Sequence, residues 1–144
     1  MSDSFESANL ILKLYELRRE EVMRKARSWF VMEFHPGSPE DFSAAALGEH
    51  SAYYRMVTSY WDMAASLVVN GAINEQMFND ANGEHVAVYS KIAPFVTEVR
   101  ELIGRPAYML HLEKVVMNIP DATARMTSIR EMLKKMGAGQ AAKA

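Results

Sequence analysis

The sequence predicts a single all-α domain, a bundle of five to seven helices with a long first helix and a buried central helix. Three observations support this prediction. Apolar residues recur at steps of three and four through most of the 144 residues. The run from Tyr53 to Asn70 is apolar almost all the way round a helix, as in helices buried on every side. We find no convincing strand in the chain.

The first helix is predicted over residues 4–34 and ends at Phe34. Asp3 is a good N-cap, and Glu6 three residues later can complete a capping box. About 31 residues at about 1.5 Å each would span about 46 Å. A compact domain of this length is only about 38 Å across. The helix should therefore bend, start later or overhang, and an overhang would expose an apolar surface to a partner: Leu10, Ile11, Leu14 and Tyr15.

Two charge pairs in the middle of this predicted helix have the favourable direction and spacing. They are Glu20 with Arg24 and Glu21 with Lys25. We expect both pairs to lie on a solvated face that supports the helix.

Glycine and proline residues divide the rest of the chain into shorter helices. The predicted segments are 39–47, the central helix 49–70, 75–81, 84–103, 107–118 and a last helix from residue 121 to 136. Gly71 supplies the left-handed residue after the central helix. Pro94 should kink or split the helix 84–103 near Ala93. Residues 1–136 are thus predicted as the domain and residues 137–144 as a flexible tail.

The composition excludes several function classes. The chain is 49% hydrophobic and 24% charged, with a net charge of −2, so it lacks the basic character of nucleic-acid-binding domains. It contains no cysteine, which excludes disulfides, thiolate zinc sites and a cysteine nucleophile. It has no leader peptide pattern and no apolar run long enough for a membrane span. We expect a soluble, cytoplasmic protein without membrane or nucleic-acid partners.

One polar line interrupts the central helix and is the candidate polar site. Its members are Arg55, Ser59, Asp62 and Ser66, with Thr58 beside them. Because the steps are four, three and four, these side chains share one face. If another helix covers that face, the Asp62 carboxylate needs a partner such as Arg55 or a residue of that helix. The alternative is that the line is the solvent-facing edge of a largely buried helix.

Aromatic residues supply a candidate ligand pocket. Its predicted members are Tyr54, Trp61, Tyr89 and Phe95. The alternative is that these side chains belong to the core, with their polar atoms at its boundary.

The four histidines do not have the spacing of a helical metal site. A tertiary cluster of His50, His85 and His111 remains open, but nothing in the local sequence converges on an ion. We therefore expect no metal and no cofactor.

Two further patterns point to a family. One is Ala26-Arg27-x-Trp29-Phe30 at the end of a charged helix. The other is Ala64-x-x-Leu67-Val68-x-x-Gly71-Ala72-Ile73-Asn74, followed later by Tyr89-x-x-Ile92-x-Pro94-Phe95. From about Leu17 to Pro106 the chain resembles an uncharacterised bacterial family of all-helical domains of unknown function. The resemblance implies a helical fold and a bacterial source, and it supplies no catalytic residues.

Three functions are consistent with these features. The first is a non-catalytic helical interaction or regulatory module that forms a homodimer through its first helix. The alternative is a small-molecule-binding domain, which a sizeable cavity would favour. The third is an enzyme that uses Asp62 with Arg55 or a histidine.

Overall fold

The computed structural model describes residues 3–143, which form α-helices joined by short connections. The helices are α1 (Ser4–Arg18), α2 (Glu21–Met32), α3 (Pro39–Leu47), α4 (Ser51–Val69), α5 (Glu75–Ala81), α6 (Glu84–Ile92), α7 (Val96–Ile103), α8 (Leu110–Met117) and α9 (Ala122–Lys143). A 3-10 helix, Ala93–Phe95, separates α6 from α7. No strand occurs among residues 3–143, which confirms the all-α prediction, although nine α-helices exceed the predicted five to seven.

Helix α4 lies at the centre of the fold, as predicted, and packs most extensively on α2 and α8. The side chains of Val57, Trp61 and Ala64 are at most 1% exposed. The helix ends before Gly71, whose φ of 84° is the left-handed conformation expected of the residue after a helix. Because neighbouring helices hold α4 on several sides, the residues on its surface have fixed positions.

The prediction of one long first helix is wrong, because the chain breaks at Glu20. Its backbone leaves the helical region, with ψ of 145°. The Glu20 carboxylate accepts the backbone N–H groups of Val22 and Met23, each at 3.0 Å, and so caps α2. These two hydrogen bonds lower the pKa of Glu20. The Glu20 carboxylate thus caps the N-terminus of α2 and does not form the predicted ion pair with Arg24.

The break also removes the predicted overhang. Arg27 donates to the backbone oxygen of Arg18 at 3.0 Å, which satisfies a carbonyl at the end of α1. Helix α1 then lies against the fold and contacts α5 and α2. Leu14 is buried, and Leu10 and Ile11 pack against the core, whereas Tyr15 remains 42% exposed.

The second half of the chain follows the predicted divisions, with differences in α8 and α9. The 3-10 helix at Pro94 confirms the predicted break near Ala93. Helix α8 begins at Leu110 rather than at residue 107, because residues 105–109 form turns. In α9, Met126 and Leu133 are buried as predicted, but Met136 is 45% exposed.

Helix α9 continues to Lys143, over most of the segment predicted as a flexible tail. Met1, Ser2 and Ala144, which the predicted domain and tail include, lie outside the described residues. None of the helices in the described part of the chain combines the length and apolar character required to cross a bilayer.

His85, at the start of α6, is fully buried. Its ring lies against Phe78 and Trp61, with centroids 4.9 and 5.8 Å apart, and its Nε2 is 2.8 Å from Oδ1 of Asn79. Burial, and then the charge of Arg18, lowers the pKa of His85 from 6.5 to about 4. The folded protein therefore keeps this histidine neutral.

This pKa predicts a loss of stability in acid. Below the unfolded pKa of 6.5 the unfolded chain binds a proton at His85, whereas the folded chain does so only near 4. His85 therefore has no effect on stability above its unfolded pKa of 6.5. The free energy of unfolding falls as the pH drops from 6.5 to about 4. Because of His85, the free energy of unfolding should fall by about 2 kcal/mol between about pH 7 and about pH 5. Urea unfolding of wild type and His85→Phe should show a free-energy difference that changes by this amount, and a constant difference would contradict the prediction.

Candidate functional site

A cleft of about 760 Å³ lies along α4. All four members of the predicted polar line border it: Arg55, Ser59, Asp62 and Ser66. Eleven residue steps separate the first from the last, which is about 16 Å along the helix. The volume is within the range of about 300–1,000 Å³ that ligand pockets occupy.

The remaining lining of the cleft is largely apolar. It comes from α3, α4, α7 and the connection between α7 and α8: Phe42, Ala46, Met63, Val99, Ile103 and Met109. The cleft thus combines a line of polar side chains with an apolar wall. This is the usual composition of a small-molecule site, in which a few polar groups orient a mainly apolar contact surface.

Asp62 connects the polar line to α8. Its Oδ1 accepts the backbone N–H of Leu112 at 3.0 Å, and its Oδ2 lies 3.5 Å from Nδ1 of His111. Met109, at the N-cap position of α8, makes no side-chain capping hydrogen bond. Asp62 therefore supplies from α4 the acceptor that a capping residue would normally provide. It is also oriented to hold the His111 ring with Nδ1 towards the carboxylate.

We expect Asp62→Ala to destabilise the protein by about 1–2 kcal/mol, the cost of losing a capping acceptor. Ser66→Ala is the matched control on the same face, because the Ser66 hydroxyl donates only to the backbone oxygen of Met63, at 2.6 Å. Its effect should stay within about 0.5 kcal/mol. Urea midpoints at one pH measure both variants. Equal losses in the two would contradict the capping role of Asp62.

The loop before α8 is held firmly in place. The hydroxyl groups of Tyr54 and Tyr108 are hydrogen-bonded at 2.5 Å, and burial raises the pKa of both, so both stay neutral. Arg100 donates to the backbone oxygen of Tyr108 at 2.8 Å and to Glu113 at 3.1 Å. Between these anchors Met109 adopts φ of 58°, a left-handed conformation that is costly for a residue other than glycine. Of the two residues other than glycine with positive φ in the described chain, Met109 lies at the cleft and Asp121, with φ of 57°, lies before α9.

The predicted aromatic pocket is divided between two places. Tyr54 borders the cleft, but Trp61 and Tyr89, each 1% exposed, lie in the core. The Tyr89 hydroxyl donates to Glu113 at 2.9 Å. Phe95 is half-buried and packs on Phe42 at a centroid distance of 5.9 Å. These last three predicted residues support the surrounding structure and do not line the cleft.

The histidines lie in separate environments. His50 stacks on Trp29 at a centroid distance of 4.9 Å, while His85 and His111 have the partners given above. Between residues 3 and 143 no three or more His, Asp or Glu side chains form a group placed to hold a metal ion. The structure therefore does not bring His50, His85 and His111 into one cluster.

Four lining residues of the cleft were not predicted from the sequence: Arg105, Tyr108, Met109 and His111. They lie up to 49 positions from Asp62, and no local spacing connects them to the polar line. One signal was present. The segment after Gly104 combines charged and aromatic residues in a turn, and binding residues concentrate on such connections.

A second cavity, of about 860 Å³, lies where α5, α6 and α9 meet. Its polar side chains largely bond one another: Asn118 donates to Glu75 at 2.5 Å and Gln76 donates to Asp80 at 2.9 Å. It lacks the continuous apolar wall of the cleft along α4. The cleft is accordingly the stronger candidate site.

Comparison with known proteins gives a family without an activity. The model of a family described as a domain of unknown function (DUF4760) matches residues 4–119. This match covers all the elements that build the cleft. No curated protein and no solved structure matches the chain.

Proposed function

The chain belongs to the family of domains of unknown function DUF4760, and from its own geometry we propose that it binds a small amphipathic molecule in the cleft along α4. The observation that carries this proposal is the pairing of an apolar wall with the polar line from Arg55 to Ser66. A cavity of this size favours the binding function over an interaction module, which needs no cavity.

The apolar wall supplies the main attraction for a ligand. Val99 and Met109 are 2% and 3% exposed and form the floor of the cleft, while Met63, 39% exposed, offers apolar area that a ligand can cover. Ile103 is 41% exposed and would be covered by a bound molecule. Each apolar Å² removed from water contributes about 25 cal/mol, offset by the cost of association.

The polar line would then orient the ligand rather than react with it. The Ser59 hydroxyl donates to the backbone oxygen of Arg55 at 2.5 Å, and the Ser66 hydroxyl is bound to its own helix in the same way. Neither contacts His111, so the pair of Asp62 and His111 has no serine nucleophile to activate among the described residues. This is why we propose binding rather than an enzyme that uses Asp62.

The test uses a neutral amphipathic probe, decanol, and isothermal titration calorimetry. Wild type should bind it saturably at one site. Ile103→Glu replaces an apolar side chain of the wall by a carboxylate and should weaken binding by about tenfold or more, since the ligand loses apolar contact and must displace water from a charged group. Leu102→Glu is the matched control, because Leu102 is 53% exposed and is not part of the cleft lining. Equal weakening by both variants, or no saturable binding, would overturn the proposal.

A second candidate function is self-association through α1. Phe5 and Leu12 are 77% and 60% exposed and lie seven residues apart, on one face of the helix. A homodimer would cover both side chains. Light scattering should then give a mass near twice 16.2 kDa, and the Leu12→Glu variant should give the mass of a single chain. A wild-type monomer at all concentrations would exclude this candidate.

We further propose the bacterial cytosol as the compartment in which the protein works. The resemblance stated above supports the bacterial source, and the cysteine-free composition supports the cytosol because the chain has none of the disulfides typical of oxidising compartments.

A further inference from the structure

The charged side chains that border the cleft differ in whether they have partners within the protein. Asp62 already has two partners, the N–H of Leu112 and the ring of His111. The cleft is also bordered by Arg55 and Arg105, and neither guanidinium group has a hydrogen bond or ion pair with any of residues 3–143. Two positive charges therefore face an apolar cleft whose one carboxylate is already engaged.

Some other arginines of the fold are tied to protein partners, whereas Arg19, Arg24 and Arg125 make no side-chain hydrogen bond or ion pair within residues 3–143 and do not border the cleft. Arg27 binds Glu84 at 2.8 Å, Arg100 binds Glu113 at 3.1 Å, and Arg130 donates to the backbone oxygen of Ser90 at 2.7 Å. These residues stabilise the fold itself. The two arginines at the cleft have no such role and are available to a ligand.

The position of Arg105 is fixed in advance. Its backbone N–H bonds to the oxygen of Arg100 at 3.0 Å, directly after Gly104, whose φ of 67° ends α7. Its guanidinium group lies over the ring of Tyr108, 5.7 Å from the centroid, and that ring is anchored to Tyr54. A stacked, preorganised guanidinium group loses less freedom when it binds an anion.

We propose that the ligand of the cleft is an amphipathic anion, a carboxylate on an apolar chain, whose head group is bound by Arg55 and Arg105. This inference rests on the proposed function and names its ligand class. Guanidinium groups match the planar geometry of a carboxylate and bind it through paired, charge-assisted hydrogen bonds. Both arginines are exposed at the edge of the cleft, so the head group would lie at this edge and the apolar chain along the wall.

The experiment compares three probes that carry the same apolar chain: decanoate, decanol and decyltrimethylammonium. Titration calorimetry at low salt should give wild type an affinity for decanoate roughly tenfold or more above that for decyltrimethylammonium, because guanidinium groups attract a carboxylate and repel a quaternary ammonium group. The double variant Arg55→Gln with Arg105→Gln should lose about tenfold of its affinity for decanoate and keep that for decanol. Arg19→Gln, which changes an exposed arginine outside the cleft, should leave all three affinities unchanged.

The outcomes separate this inference from the proposal on which it rests. If all three probes bind equally well and the double variant changes none of them, the cleft binds amphipathic molecules but the anion assignment is wrong. A preference for decyltrimethylammonium would also overturn it. If no probe binds, the proposed function itself fails. Thermal unfolding of each variant shows that the arginine substitutions leave the fold intact.

Discussion

Trp61→Ala is expected to lower the free energy of unfolding by about 3–5 kcal/mol, the range for truncating a buried large aromatic side chain. Trp61 is 1% exposed and packs edge-on against Tyr60 at a centroid distance of 4.9 Å. Its Nε1–H donates to Glu84 at 3.0 Å. The substitution therefore leaves a cavity beside α4 and removes a hydrogen bond, and it is large enough to unfold a marginal domain.

Urea unfolding measures this loss, and a milder variant tests its cause. Trp61→Phe keeps most of the ring packing but lacks the N–H group, so its loss should be clearly smaller, about 1–3 kcal/mol. Leu102→Ala, at a side chain 53% exposed, should stay within about 0.5 kcal/mol. A loss below about 1 kcal/mol for Trp61→Ala would mean that the centre of the fold lies elsewhere.

Glu84→Gln should destabilise the protein by about 2–4 kcal/mol. The carboxylate binds Arg27 through two parallel hydrogen bonds of 2.8 and 3.0 Å and also accepts the Trp61 N–H. Removing one member of a buried pair typically costs about 3–5 kcal/mol, and we expect the lower end because the Glu84 and Arg27 side chains are 22% and 24% exposed.

The exposed pair of Glu21 and Lys25 is the matched control for this prediction. It is formed as the sequence predicts, at 3.6 Å, with side chains 80% and 63% exposed. Glu21→Gln removes the same charge and should cost less than about 1 kcal/mol. Denaturation at low and at high salt should show a salt-dependent loss only for this control pair. Equal losses for Glu84→Gln and Glu21→Gln would contradict the anchoring role of Glu84.

The fold class could be predicted because periodicity is a local property. The apolar surface of α4 requires neighbours on every side, and the glycine and proline positions mark most helix ends. The break at Glu20 could not be predicted in this way. Residues around it are good helix formers, and the turn depends on Arg27 reaching the carbonyl of Arg18 and on the capping carboxylate of Glu20 itself. These contacts are short-range, but glutamate is not among the preferred capping residues, so the sequence around Glu20 carries no capping signal.

The candidate site shows the same division between local and tertiary information. Helical spacing places Arg55, Ser59 and Asp62 on one face, and that face borders the cleft. Helical spacing within one segment cannot show which residues lie across the cleft from this face. The apolar wall comes largely from α3 and α7, which pack on one another, and His111 comes from α8, which packs on α4; His111 lies 49 positions from Asp62 in the sequence.

The most direct test of the binding proposal is to locate a bound amphipathic probe on the protein. Nitrogen–proton correlation spectra recorded during titration with decanol report changes at each backbone amide. The account predicts that the largest shifts occur at the cleft, at Ser59, Asp62 and Met109, and that amides of α5 such as Gln76 change little. Largest shifts along α5 and α9, or unchanged spectra at saturating decanol, would contradict it.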